Sequence, residues 1–325
     1  MRSQIIDRGH PAAAARSAPA AGPGPLRPAR PLARAHTAGS FALTTLLALA
    51  AAAQLPSKPV TLVPDFAPGA VLTYSIAIHS EIGTRVQMDT SAEIAMHILA
   101  GATPGNFDAE LRFTKYSTTV KADNATDRQS VAAQAAATDH TAQSMPAVRF
   151  RVDGQQFTTV SRPQGANYDQ SVQMLAELAR MDTLPTGPTT VGARWTRVRT
   201  QQIPTLNFSL PLTLECQLTA VGMLDGHLSA TVVVHSHGSS QLPPGSLPGT
   251  QQMAAQGLIP EATVGFDTTA TSRYRLPQTV LELATSTTHN SMNVRFIGPS
   301  PQAQTNNTDI DSTATVKLVG ITPGR

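Results

Sequence analysis

A single cysteine, Cys216, serves the whole chain, so there is no internal disulfide and no set of thiolates for a zinc site. The sequence also lacks a Walker loop, a dinucleotide fingerprint, a G-x-S-x-G elbow and an S-x-x-K pair, which removes the usual signatures of nucleotide and serine chemistry. No two carboxylates form the close pair that a glycosidase needs. No run of about 20 strongly apolar residues is present, the length a membrane-crossing helix requires. Dense clusters of Lys and Arg are missing too, which argues against nucleic acid or an anionic membrane as a partner.

The formal charge of +3 is misleading, because it comes from the start of the chain. Residues 1–53 hold six Arg and one Asp, whereas the rest holds 18 basic and 20 acidic residues. Residues 1–40 are rich in Ala, Pro, Gly and Arg without hydrophobic periodicity, the composition of a segment that does not fold. An apolar run from Phe41 to Ala50 follows and ends in Ala51, Ala52 and Ala53. Basic stretch, short apolar segment and small-residue site together form the pattern of a cleavable secretory signal, with the cut after Ala53 and Gln54 as the new N-terminus. An uncleaved anchor is the alternative. The stretch before the run is longer than an ordinary basic region, which fits either an extended leader or a start codon further along. No Cys follows the run, so no lipid is attached at the cut. The expected location is therefore outside the cytoplasm, in a periplasm or the extracellular space. Residues 54–325 are expected to form one β-rich domain with no membrane span after cleavage.

Beyond a Pro-rich link the hydrophobic period becomes two, the mark of half-buried strands. Leu72, Tyr74, Ile76 and Ile78 share one face, as do Ala92, Ile94, Met96 and Ile98, and then Phe107, Ala109, Leu111 and Phe113. Two short helices interrupt the strands. Thr126 with Gln129, and Asn167 with Gln170, match capping boxes. The first helix runs to about Gln143 and is mostly alanine; the second, Gln170 to Arg180, carries one apolar stripe, Val172, Leu175, Leu178 and Ala179. Between them Val148 to Val160 reads as a hairpin about Asp153-Gly154. Strands return at Ala193–Thr200, Leu212–Val221, Leu228–Ser236, Thr263–Leu276, Thr279–Thr288, Met292–Ile297 and Thr313–Ile321. Residues 241–257 and 299–308 read as polar, exposed connections. The pattern predicts a β-rich (α+β) fold, a largely antiparallel curved sheet or half-barrel with two short helices.

One internal echo raises a duplication with halves 60–183 and 184–322. Gly69-Ala-Val-Leu-Thr73 resembles Gly192-Ala-Arg-Trp-Thr196, and Phe107, Ala109, Leu111 and Phe113 match Leu228, Ala230, Val232 and Val234. The preceding strands align only after a one-residue slip, which requires a bulge or a longer turn. The alternative is that two hairpins resemble each other without common origin.

Candidate chemistry is sparse. His235 and His237 point the same way from a strand and could begin a metal site, but no third ligand is nominated; solvated histidines on a polar sheet are the bland alternative. Trp195, Arg197 and Arg199 share a face and could form a platform for an anionic or aromatic ligand, or their stems could simply cover a sheet edge. Cys216 alternates with Leu212, Leu214 and Leu218 and reads as a small buried hydrophobe. No cofactor is implied.

The run of signal segment, G-A-x-L-T-Y strand at Gly69–Tyr74, capped helices, G-A-x-W-T strand at Gly192–Thr196 and D-G hairpin resembles a loosely defined group of exported bacterial β-sheet proteins with no established activity. More distantly, such a layout is similar to the half-barrel carriers that move lipids across the periplasm, a likeness of architecture. Together these features imply a non-enzymatic exported module whose inward rows, including Met96, Phe107, Leu111 and Phe113, enclose a groove for an apolar ligand. An envelope assembly protein acting on a protein partner, through the 241–257 and 299–308 segments, is the first alternative. A hydrolase with a convergent site is the second.

Overall fold

In the computed structural model the chain is described over residues 58–324, apart from 84, 155, 166–167, 204–207, 244, 248–249, 251–258 and 298–303. The expected leader and the cleavage point Ala53/Gln54 lie outside the described residues. Alternation of apolar and polar residues generates the elements in order. They are β1 (Val71–Ile82), β2 (Val86–Ile98), β3 (Asn106–Ala122), α1 (Ala125–Ser144), β4 (Val148–Asp153), β5 (Gln156–Ser161) and α2 (Asp169–Ala179). Then follow β6 (Arg194–Ile203), β7 (Phe208–Leu224), β8 (His227–Gln241), β9 (Ile259–Arg275), β10 (Val280–Ile297) and β11 (Gln304–Thr322).

All eleven strands form one antiparallel sheet in the order β5-β4-β3-β2-β1-β11-β10-β9-β8-β7-β6. Consecutive strands pair throughout except β5 and β6, and one pair joins strands far apart in the chain. The last strand, β11, lies in the middle, paired to β1 on one side and β10 on the other. The edges are β5 and β6, consecutive strands joined through α2. That helix buries Val172, Leu175, Ala176, Leu178 and Ala179 on the inner face, and its Glu177 accepts a bond from Arg199 of β6 at 2.9 Å. The sheet therefore curls until α2 spans the space between its two edges, which do not pair with each other: an open half-barrel. The inner face carries one continuous core, in which Met96, Leu111 and Phe150 are fully buried.

Several strands run further than their apolar alternation. β1 continues to Ile82, β3 to Ala122, β10 is unbroken through 289–291, and β11 starts at Gln304, so the second part of the expected 299–308 connection is strand. The extensions are rich in Ser and Thr. Their hydroxyls pair across strands, Ser80 with Ser312 at 2.9 Å, Thr90 with Thr118 at 3.2 Å and Thr268 with Thr288 at 2.8 Å. Ladder hydrogen bonds and β-branched threonines sustain a strand without a core beneath it.

α1 covers the edge that β3 presents where β4 ends. Thr118 donates its amide to Asp139 at 3.0 Å, and Gln143 donates to the carbonyl of Tyr116 at 2.7 Å. These bonds occupy backbone groups that would otherwise offer a template for another strand. The first expected capping box does not mark its helix start. Thr126 falls inside the first turn of α1, Asn167 lies outside the described residues, and Tyr168 precedes α2 with no side-chain cap bond. Among the described residues no helix is long and apolar enough to cross a membrane.

The two hairpins of the echo are β2–β3 and β7–β8. Each contains a bulge, at Thr114 and at Thr219. Phe113 and Val234 are both buried, but Phe107 is 4% exposed against 40% for Leu228, which overhangs the core at its hairpin tip.

Candidate functional site

The turns that begin the inner face gather at one end of the sheet, and two irregular segments cross them. Residues 58–69 run over this end, pinned at Val60 by paired amide bonds with Thr189 at 2.8 and 2.9 Å and at Asp65 by the carbonyl of Gln278 at 2.9 Å. Residues 180–192 run beside them. Between these segments and the turns after β2 and β4 lies a groove of about 410 Å³. Leu62, Val63, Pro64, Met181, Leu184 and Pro185 supply its apolar wall, and Asp153, Gln156 and Thr186 supply polar points on its rim. Gly105 sits at the bottom, with its amide donating to the carbonyl of Pro64 at 2.7 Å and a positive φ of 79°. A Cβ there would meet Val63 Cγ1 at 3.2 Å, so glycine permits both the turn and the close approach of the segment.

The residues expected to enclose an apolar groove do not line this one. Met96, Phe107, Leu111 and Phe113 are all buried in the packed core and none lines the groove. They lie on the inward side of paired strands, where protein interiors pack closely. The space is left where irregular segments meet turns and cannot pack so closely.

The three platform candidates do come together, on the inner face of β6, beside this groove. Trp195 Nε1 donates to the carbonyl of Thr183 at 3.1 Å, Arg197 Nη2 donates to the carbonyl of Leu184 at 3.4 Å, and Arg199 binds Glu177. All three hold the 177–184 segment against the sheet edge. The Nε atoms of Arg180, Arg197 and Arg199 and Oδ1 of Asp182 are buried without a hydrogen-bond partner, which leaves local capacity for further polar contacts. On the outer side of this segment a second cleft, about 350 Å³, is lined by Arg162, Asp169, Glu177 and Arg180 with Gln201 and Gln202 of β6. Arg180 also stacks over Phe157 of β5, 5.1 Å from the ring centre.

Cys216 lies opposite Trp195 and is 2% exposed; burial pushes its thiol up to about 11, which keeps it protonated and unreactive at neutral pH. His235 and His237 lie on the outer face with ring centres 5.2 Å apart, and His235 Nε2 meets Asp267 at 3.0 Å. Among the described residues no three His, Cys, Asp or Glu side chains converge as an ion would require.

No protein-family model matches the chain, and no curated protein does. Among solved structures, it is similar to lipovitellin, in a study of that protein's interactions with lipid, at 15% identity and a TM-score of 0.42 over 80% of this chain. The chain spans 26% of that lipovitellin. It is also similar to a LolA superfamily protein from Nitrosomonas europaea, at 8% identity and a TM-score of 0.18, over 80% of this chain and 88% of the other.

Proposed function

We propose that this protein is an exported, non-enzymatic carrier that holds an apolar or amphipathic small molecule at the capped end of its half-barrel. The observation that carries the reading is the groove under Leu62, Val63, Pro64, Met181, Leu184 and Pro185. Its volume falls within the range of about 300–1,000 Å³ typical of small-molecule sites, and its few polar points on an apolar wall suit a ligand oriented by one end. Asp153, Gln156 and Thr186 are the polar groups on its rim, so a neutral hydrogen-bonding head group is the polar end they would favour. The signal pattern ending at Ala53 supports export, and sequencing the N-terminus of protein exported by its own host should begin at Gln54.

Native mass spectrometry of protein purified from that host's envelope tests the carrier reading. A co-purifying apolar molecule is expected, and Leu184→Asp should release it, since a buried carboxylate would face its chain. Protein that emerges ligand-free and takes up no fluorescent fatty acid would end the reading. A second reading, an assembly protein acting through a partner, draws on the β7–β8 tip, where Met223, Leu224 and Leu228 are 70%, 37% and 40% exposed. Cross-linking that captures one stoichiometric protein partner at this tip would favour it.

A further inference from the structure

A line of ionisable side chains crosses the outer face of the sheet beyond the apolar core. Directly opposed residues on successive strands are His237 (β8), Asp267 (β9), His289 (β10), Asp311 (β11), Glu81 (β1), Gln87 (β2) and Lys121 (β3). His235, Asp309, His79 and Asp89 each lie two residues along a strand from a member of this row and therefore on the same face.

Two of these histidines have a carboxylate at each ring nitrogen. His79 meets Asp89 through Nδ1 at 2.6 Å and Glu81 through Nε2 at 3.5 Å. His289 meets Asp311 through Nδ1 at 2.7 Å and approaches Asp309 through Nε2 at 4.0 Å. A neutral imidazole has one N–H and can satisfy one such partner, whereas the imidazolium ion has two. The protonated form is therefore favoured twice, across β1–β2 by two hydrogen bonds from His79, and across β10–β11 by one hydrogen bond from His289 to Asp311 and the nearby charge of Asp309.

Between the two clamps runs the seam that joins the halves of the sheet, and there Glu81 stands directly opposite Asp311. Like charges in opposed positions weaken strand pairing. The groups around His79 are Asp89 and Glu81, with Lys121 3.9 Å from Asp89 and the uncharged Thr313 on β11. Around His289 are Asp309 and Asp311 of β11 and Asp267 of β9, which is itself shared with His235. Acidic groups outnumber fixed cations in the row by five to one, counting Glu81, Asp89, Asp267, Asp309 and Asp311 against Lys121.

We infer that the row is a proton-operated latch, in which His79 and His289 as imidazolium ions clamp β1 to β2 and β10 to β11 and offset the opposed charges of Glu81 and Asp311 where β1 meets β11, and their deprotonation loosens the polar half of that seam. Hydrogen bonding to Asp89 and then Glu81 raises the proton affinity of His79, and bonding to Asp311 raises that of His289. With both folded midpoints above the ordinary 6.5, the contribution is complete below that value and is lost as pH rises through the folded midpoints. For each pH unit separating a folded midpoint from the ordinary one, the opening equilibrium of the seam grows about tenfold across the titration.

Two measurements on the full chain test the latch. Side-chain nitrogen NMR between about pH 5 and pH 9 should give His79 and His289 midpoints above 6.5. Amide exchange at Asp309–Ser312, corrected for the intrinsic rate at each pH, should then lose protection over the same interval. The double variant H79Q/H289Q should abolish that pH dependence, and H140Q, a histidine on α1 away from the row, should keep it. Midpoints at or below 6.5, or protection that does not change with pH in the unmodified protein, would overturn the proposal without relying on any variant to fold.

Discussion

Asp108 on the outer face of β3 accepts from two arginines of β4, Arg149 at 2.5 Å and Arg151 at 2.8 and 3.0 Å. These partners, Arg151 first, hold its carboxyl down to about 2. A depressed carboxyl stabilises the fold above its unfolded value of 3.8, and that stabilisation disappears as the pH falls through about 2. The arginine side chains are 39% and 57% exposed, so water screens the pair. Asp108→Asn should therefore cost about 1 kcal/mol at neutral pH, seen in chemical melts, and the deficit should vanish near the acid end. Cys216 offers a second check: a thiol reagent should label it slowly in native protein and quickly in denaturant. Its burial was legible from alternation with Leu212, Leu214 and Leu218. The roles of Trp195, Arg197 and Arg199 were not, because their partners are backbone carbonyls and Glu177 on a segment that the strand pattern does not describe.

The two helices differ in how they are held. α2 enters the core through Leu175, which has no exposed surface. Leu175→Ala should lower stability by about 2–5 kcal/mol, the range for a large-to-small change at a site that cannot collapse. Phe113→Asp on β3 should prevent folding outright, since it buries an unpaired charge; circular dichroism of the purified variant would show it. Helix α1, by contrast, is joined to β3 mainly by Asp139, Gln143 and two buried alanines, Ala135 and Ala142. The apolar stripe of α2 announced its docking face. No such stripe exists on α1, so its place along β3 followed from where β4 stops, a fact of pairing that is invisible in α1 itself. Strands run past their expected ends for a related reason: hydrophobic alternation reports the core, and the Ser/Thr extensions pair without one.

At the scale of the molecule, the sheet depends on β11. Without residues 304–325, β1 and β10 would each become an open edge, and the core would be divided between two smaller sheets. A chain ending at 303 should lose its cooperative melt and scatter light on warming, because unpaired edges recruit other chains. Adding a peptide of residues 304–322 in trans should restore the transition. The alternating segments and their hairpins predict a largely antiparallel curved sheet. The sequence contains no local sign that the final strand returns to the centre, since that choice is made by long-range pairing.

The central place of β11 also sets the order in which the protein can be made and assembled. Ten strands are synthesised before the one that unites them, and β1 must wait for a partner from the far end of the chain. Val71 and Thr322 stand opposite each other, so a short loop could join the two ends of the domain. If the chain were opened instead between β5 and α2, every strand would follow its spatial neighbour, from β6 through β11 to β1 and on to β5. Such a circular permutant keeps the contacts but lowers the mean sequence separation between them, the quantity that governs folding speed. Stopped-flow refolding should find it faster than the natural chain at similar stability, and an unchanged rate would mean that seating β11 is not the slow step.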